Sequence, residues 1–133
     1  MRTQRLGSFL LAVLFASTLV SVTALAADAP AVLQVISVKV TGDRQVYLGK
    51  IKTLQGITKR LGLAPARVWR ATLAGENTDV IYIATEYPNL AAMADAQGKL
   101  TADAEASNLL HDIDASGIRT VVDRSLMVDD TPK

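Results

Sequence analysis

The sequence predicts an α+β domain whose elements run strand, helix, strand, strand, helix, strand. Three observations point to it. β-Branched residues gather in several short windows, apolar residues recur at helical spacing in the stretches between them, and one pair of strand windows is joined only by turn-forming residues. Val32–Val40 (VLQVISVKV) is the first window, with Ile36, Val38 and Val40 on one face and Ser37 and Lys39 on the other. Thr41-Gly42-Asp43 breaks it, and Asp43 or Thr41 is suited to cap the next helix by accepting a backbone N–H. Tyr47, Ile51, Leu54, Thr58 and Leu61 then form a helical stripe, widened by Val46 and Ile57. Lys50, Lys52, Lys59 and Arg60 fall mostly outside it, and Gly62 ends the helix.

Residues 67–73 and 80–87 are two further strands, and Gly75-Glu76-Asn77-Thr78-Asp79 between them makes an antiparallel hairpin. Pro88 and Asn89 close the third strand, with Asn89 as cap of an alanine-rich helix that turns Leu90, Met93 and Ala94 to the core. Residues 98–101 are expected to interrupt that helix, Thr101 recapping a second segment with Leu109, Leu110 and Ile113 inward. Ser116 and Gly117 stop it, residues 118–128 form the last strand, and 129–133 are a polar tail. In one domain this order gives a ferredoxin-like βαββαβ arrangement: a four-stranded antiparallel sheet with both helices on one face. The other face, carrying Leu33, Val35 and Trp69, would leave an apolar patch in water, so a second copy is expected to cover it. Two such sheets packed together enclose a small barrel, and its interior is the place for a ligand.

The first 26 residues bear on location. Arg2 and Arg5 precede an uncharged apolar run from Leu6 to Val22, and Ala24-Leu25-Ala26 supplies the small residues a signal peptidase requires, so 1–26 is read as an export signal cut after Ala26, with 27–31 a short leader and 32–128 the domain. The alternative is an uncleaved anchor, since residues 6–26 are long enough for a bilayer core of about 30 Å. The destination is the periplasm or the cell exterior. The chain has no Cys, so an oxidising compartment is permitted without disulfides.

Removing 26 residues from the 133 leaves 107, one domain's worth. The remaining 12 Lys and Arg face 13 Asp and Glu, without the cationic clusters that nucleic acid or anionic lipid would need, so neither nucleic acid nor, after signal cleavage, a membrane is an expected partner. No nucleophile elbow, phosphate-binding glycine loop or dinucleotide fingerprint occurs, and no cofactor is expected. His111 is the sole His. A metal site needs three or four converging ligands, and none is expected.

The stretch VIYIATEYPNLAAMA at 80–94, a strand ending in an aromatic, a tight turn and a helix interrupted near TADAEA at 101–106, resembles the dimeric α+β barrel superfamily over residues 32–128. Its members include antibiotic-biosynthesis-type monooxygenases, haem-degrading monooxygenases and NIPSNAP-like domains. The resemblance implies a homodimer. Haem-degrading members place an Asn on the first strand, an aromatic at the end of the third and a His on the second helix. By the resemblance, Tyr87 takes the aromatic position and points into the barrel, where those enzymes prefer Trp. Val35 takes the first-strand position, with Ser37 the nearest polar residue, and His111 lies further along its helix than the family spacing.

The candidate ligand-binding residues are Ser37, Trp69, Tyr87 and His111; no catalytic residue is assigned. Trp69 between Arg67 and Arg70 suits either a stacking wall for a planar ligand or a buried dimer anchor. His111 beside Asp112 and Asp114 suits a helix end and a carboxylate pair better than catalysis. Arg119, Asp123 and Arg124 read as a solvated edge, with a cavity role as the alternative. Leu33, Val35, Ser37, Trp69 and Tyr87 would give apolar walls with few reactive groups, which favours a module that binds a small apolar or aromatic molecule, or an interaction domain. The alternative is a cofactor-independent, monooxygenase-like enzyme acting on a small aromatic substrate, with His111 or an inward Arg managing the proton.

Overall fold

The computed structural model describes residues 29–132; the expected export signal at 1–26, the start of the leader and the last residue of the tail lie outside them. The elements are β1 (Val32–Val40), α1 (Arg44–Arg60), β2 (Arg67–Arg70), β3 (Ile81–Tyr87), α2 (Leu90–Ala102), α3 (Ala104–Ala115) and β4 (Arg119–Val128). The sheet order is β2-β3-β1-β4, antiparallel throughout, which is the ferredoxin-like arrangement.

Residues directly opposite across a ladder share a face, so the registers sort the sheet into two sides. Val38 of β1 stands opposite Ile81 of β3 and Val121 of β4, and packs with Tyr47 and Ile51 of α1 and Ile113 of α3 in a buried cluster. Val32 stands opposite Tyr87 and forms a second cluster with it and Ala96 of α2. The even-numbered residues of β1 therefore face the helices. Ser37 and the other odd-numbered residues face away, opposite Tyr82, Ala84 and Glu86 of β3.

The ends of the elements follow from their residues. Asp43 Oδ1 accepts from the N–H groups of Gln45 and Val46 at 2.7 and 3.3 Å, and Asn89 Oδ1 accepts from Ala92 N–H at 2.8 Å. Gly62 takes φ +67°, and the Gly62 and Leu63 N–H groups reach back to Lys59 O and Thr58 O at 3.1 and 2.9 Å. That doubled closure satisfies the last carbonyls of α1 and needs a residue free of Cβ strain. The interruption expected at 98–101 lies instead at Asp103. Gly98 and Thr101 stay helical, the Thr101 hydroxyl donating back to Gln97 O at 2.9 Å rather than capping, whereas Asp103 Oδ1 accepts from Ala106 N–H at 2.9 Å and starts α3. β2 stops at Arg70, short of the expected 73, because the chain turns through a 3₁₀ segment at Gly75–Asn77 that leaves Leu73 in solvent.

The ladder between β1 and β4 is irregular at one point. Its register shifts between Ser37 and Val38: Ser37 pairs with Asp123 and Val38 with Val121, so Val122 is an extra residue in β4.

Arg60 Nη2 ties α1 to the start of α3, 3.1 Å from Asp103 Oδ2 and 2.9 Å from Glu105 Oε2. The Ala106 N–H and then Arg60 hold the Asp103 carboxyl below its ordinary value, outweighing burial. A carboxyl held low contributes stability that is present above its unfolded value and lost as pH falls through the folded one. Asp103→Asn keeps a capping oxygen and removes the charge. It is expected to melt below the parent at neutral pH, and the gap should close as pH drops below the ordinary carboxyl value of 3.8. Thermal unfolding across pH measures this, and a gap that persists in acid refutes the charge's part.

Candidate functional site

Between the two buried clusters the space under the helices is not filled. A cavity of about 290 Å³ lies there, walled by Ile36 and Ile83 from the sheet, Leu54 from α1, Leu63 from the α1–β2 connection, Leu100 from α2 and Leu110 from α3. α2 packs Ala92, Met93 and Ala96 against Val32 and Tyr87 and brings Gln97 and Leu100 to the cavity wall.

Nearly half of the residues bordering the cavity are polar, and most of their polar groups are held. Gln97 Nε2 donates to Gln34 Oε1 at 3.3 Å, Gln55 Nε2 donates to Ala66 O at 3.0 Å, and Thr58 Oγ1 donates to Gln55 O at 2.9 Å. Burial pushes the Tyr87 phenol above its ordinary value, with a Thr85 hydrogen bond partly opposing it. Arg119 is the exception to the expected solvated edge. Its side chain is only 8% exposed, with Nη2 donating to Asp114 Oδ1 at 2.9 Å and Nη1 to Tyr47 Oη at 3.4 Å. Burial opposes its charge, but these partners outweigh burial and hold the guanidinium above its ordinary value. Arg119 Nε is buried without a hydrogen-bond partner. Asp123 and Arg124 are exposed, and Arg124 borders the same cavity.

The second surface is the open sheet face. Trp69, Tyr82, Ser37 and Asp123 stand opposite one another in a single row across all four strands. Trp69 is 58% exposed, while Ser37, in mid-sheet, is 6% exposed. Leu33, Trp69, Ala84 and Tyr87 border a shallow hollow on this side.

Of the residues singled out from sequence, Ser37 and Trp69 thus share a face. Tyr87 does not join them: its ring packs with Val32 and Ala96 on the helix side, and the residue borders both the hollow and the cavity. Tyr82 is the tyrosine on the open face. The physical reason is the β1–β3 register, which puts Tyr87 opposite Val32 rather than Leu33. His111 is exposed on α3 and borders neither space. It has no ion-pair partner among the described residues, since Asp112 is taken by Lys50 and Asp114 by Arg119. Among the described residues no group of three His, Cys, Asp or Glu is placed to hold a metal, and no helix is long and apolar enough to cross a membrane.

Gln34, Gln55 and Gln97 are cavity residues that sequence reasoning missed, whereas Arg119 and Arg124, for which a cavity role is the alternative to a solvated edge, do border the cavity. Gln34 was legible as the polar interruption on the inner face of β1, between Val32 and Ile36.

Comparison with protein-family models and with curated proteins gives no match. Among solved structures the chain is similar to a NIPSNAP family protein from Agrobacterium tumefaciens strain C58, with a TM-score of 0.55 and 15% identity over 78% of this chain and 91% of that one. The fold is therefore NIPSNAP-like α+β, in keeping with the superfamily resemblance of the sequence. At that identity the likeness concerns the fold.

Ala64, at the cavity wall, offers a direct check on the space. Ala64→Leu is expected to stabilise the ligand-free protein by about 0.5–2 kcal/mol by filling it. Denaturant unfolding measures the change, and a loss of stability would mean the cavity has no room.

Proposed function

We propose that the chain is an exported dimeric α+β protein whose role is to bind a small apolar or aromatic molecule, held between its helices and its sheet. One observation carries this: a cavity of about 290 Å³ whose Leu and Ile walls are interspersed with polar side chains, most of them already hydrogen-bonded within the protein, in the layer of the fold where close packing is the rule. Its size suits about ten non-hydrogen atoms, at roughly 30 Å³ each. Binding is favoured over catalysis because the groups that could move a proton stand badly for it. His111 lies away from the cavity, Tyr87 is held protonated by burial, and Arg119 is held charged.

The dimer rests on the other face. Leu33, Val35, Trp69, Tyr82, Ala84 and Met127 share it, and Trp69 and Met127 are among the large apolar side chains left most exposed. A second copy laid on this face buries the row from Trp69 to Ser37. In that reading the open face is the dimer interface and the ligand lies behind it, within each protomer. The N-terminal charge pattern and the small residues before Ala27 support export to the periplasm or the exterior.

Native mass spectrometry of the protein purified from its own source tests the function. A retained small molecule, lost in Ala64→Leu, is expected; consistently empty protein with no thermal shift across a broad metabolite panel would sink the binding role and leave an interaction domain. Light scattering tests the dimer separately. Trp69→Glu, which sets a charge in an apolar contact, is expected to convert dimer to monomer at micromolar concentration, and an unchanged mass would remove Trp69 from the interface.

A further inference from the structure

We infer that the cavity takes a small monocarboxylate with an apolar body, its carboxylate held by Arg119 and Arg124 and its body lying against the Leu and Ile walls. This rests on the cavity being a binding site, as proposed above.

The first support is the unpaired donor. Arg119 is more than nine-tenths buried by its side chain, and its Nε–H has no partner although Nη1 and Nη2 are both engaged. A buried charged donor left unmade is costly, and native proteins rarely keep one without a ligand or water to satisfy it.

The second is parity. Residues 119 and 124 are an odd number of positions apart, so in a regular strand they would point to opposite faces. The extra residue at Val122 restores the phase: Arg119 stands opposite Val40 and Arg124 opposite Ile36, both on the helix side. The bulge thus brings a second guanidinium to the cavity, and Arg124 has no ion-pair or hydrogen-bond partner among the described residues. Val40 and Ile36 lie about 13 Å apart at roughly 3.3 Å per residue, a span that two long side chains leaning inward bridge over one carboxylate.

The third is charge balance. Asp114, Arg119 and Arg124 are the charged residues bordering the cavity, and Asp114 is already bound to Arg119. One positive charge is left over. A neutral ligand without an acceptor would leave the Nε–H unanswered, and a cation would be repelled, whereas a carboxylate accepts from both guanidinium groups.

Octanoate and phenylacetate, each with a single carboxylate and an apolar body suited to the volume, are the probes, compared by calorimetry at neutral pH with 1-octanol, 2-phenylethanol and octylamine. The acids are expected to bind at least about tenfold more tightly than the matching alcohols, as charge-assisted hydrogen bonds require, and the amine not at all. Arg119→Gln should remove most of that preference. Since it also breaks the contact with Asp114, Arg124→Gln, at an exposed residue without partners, is the second variant and should weaken the acids while leaving the alcohols unchanged. Alcohols that bind as tightly as the acids, or acids indifferent to Arg124→Gln, overturn the carboxylate preference and leave the cavity as a binding site. Failure of every probe overturns both.

Discussion

Everything in this domain hangs on β1 being an inner strand of the sheet, with one face closed by helices. β3 and β4 pair along its two edges, and its register with each neighbour assigns the paired residues of those strands to a face. Val32, Ile36, Val38 and Val40 alternate on one side and supply the apolar surface on which α1, α2 and α3 settle. Gln34 interrupts that series. It sits where the two buried clusters fail to meet, so the cavity and the polarity of its floor have a common origin in the pattern of one strand.

The period of the strands, the stripe of α1 and the turn chemistry of the hairpin were legible in the chain, and they suffice for element order and topology. What was not legible was phase between strands. Tyr82 and Tyr87 are five positions apart, so alternation says that they oppose one another without saying which is inward; that depends on whether Tyr87 meets Val32 or Leu33, a pairing that no local pattern encodes. The bulge at Val122 is hidden for the same reason, since nothing in TVVDRS distinguishes a regular strand from one with an extra residue. Arg119 therefore passed for a solvated edge residue while its side chain lies inside. The break in the second helix was misplaced for a different reason. Glycine weakens a helix without ending it, whereas an aspartate able to accept from the N–H three residues on starts a new one.

The charges divide accordingly. Arg60, Lys50 and Lys99 pair at or near the surface, where ion pairs contribute little beyond holding α1 against α3 or one turn of helix to the next. Arg119 differs, because Asp114 reaches solvent while the guanidinium does not. Most of the desolvation therefore falls on the arginine; Asp114 and Tyr47 outweigh it, and Nε alone is left without a partner.

The pairing of β1 with β4 joins the first strand of the domain to the last. The pairing at this side of the sheet is thus the least local contact in the molecule, and it cannot form until the ten-residue β4 is present. Until then β1 has an unpaired edge and an apolar inner face only partly covered. Such a chain spends its synthesis as a template for unintended strand pairing. Assembly of the sheet is then timed by β4, and a nascent copy is most in need of protection just before that strand is made.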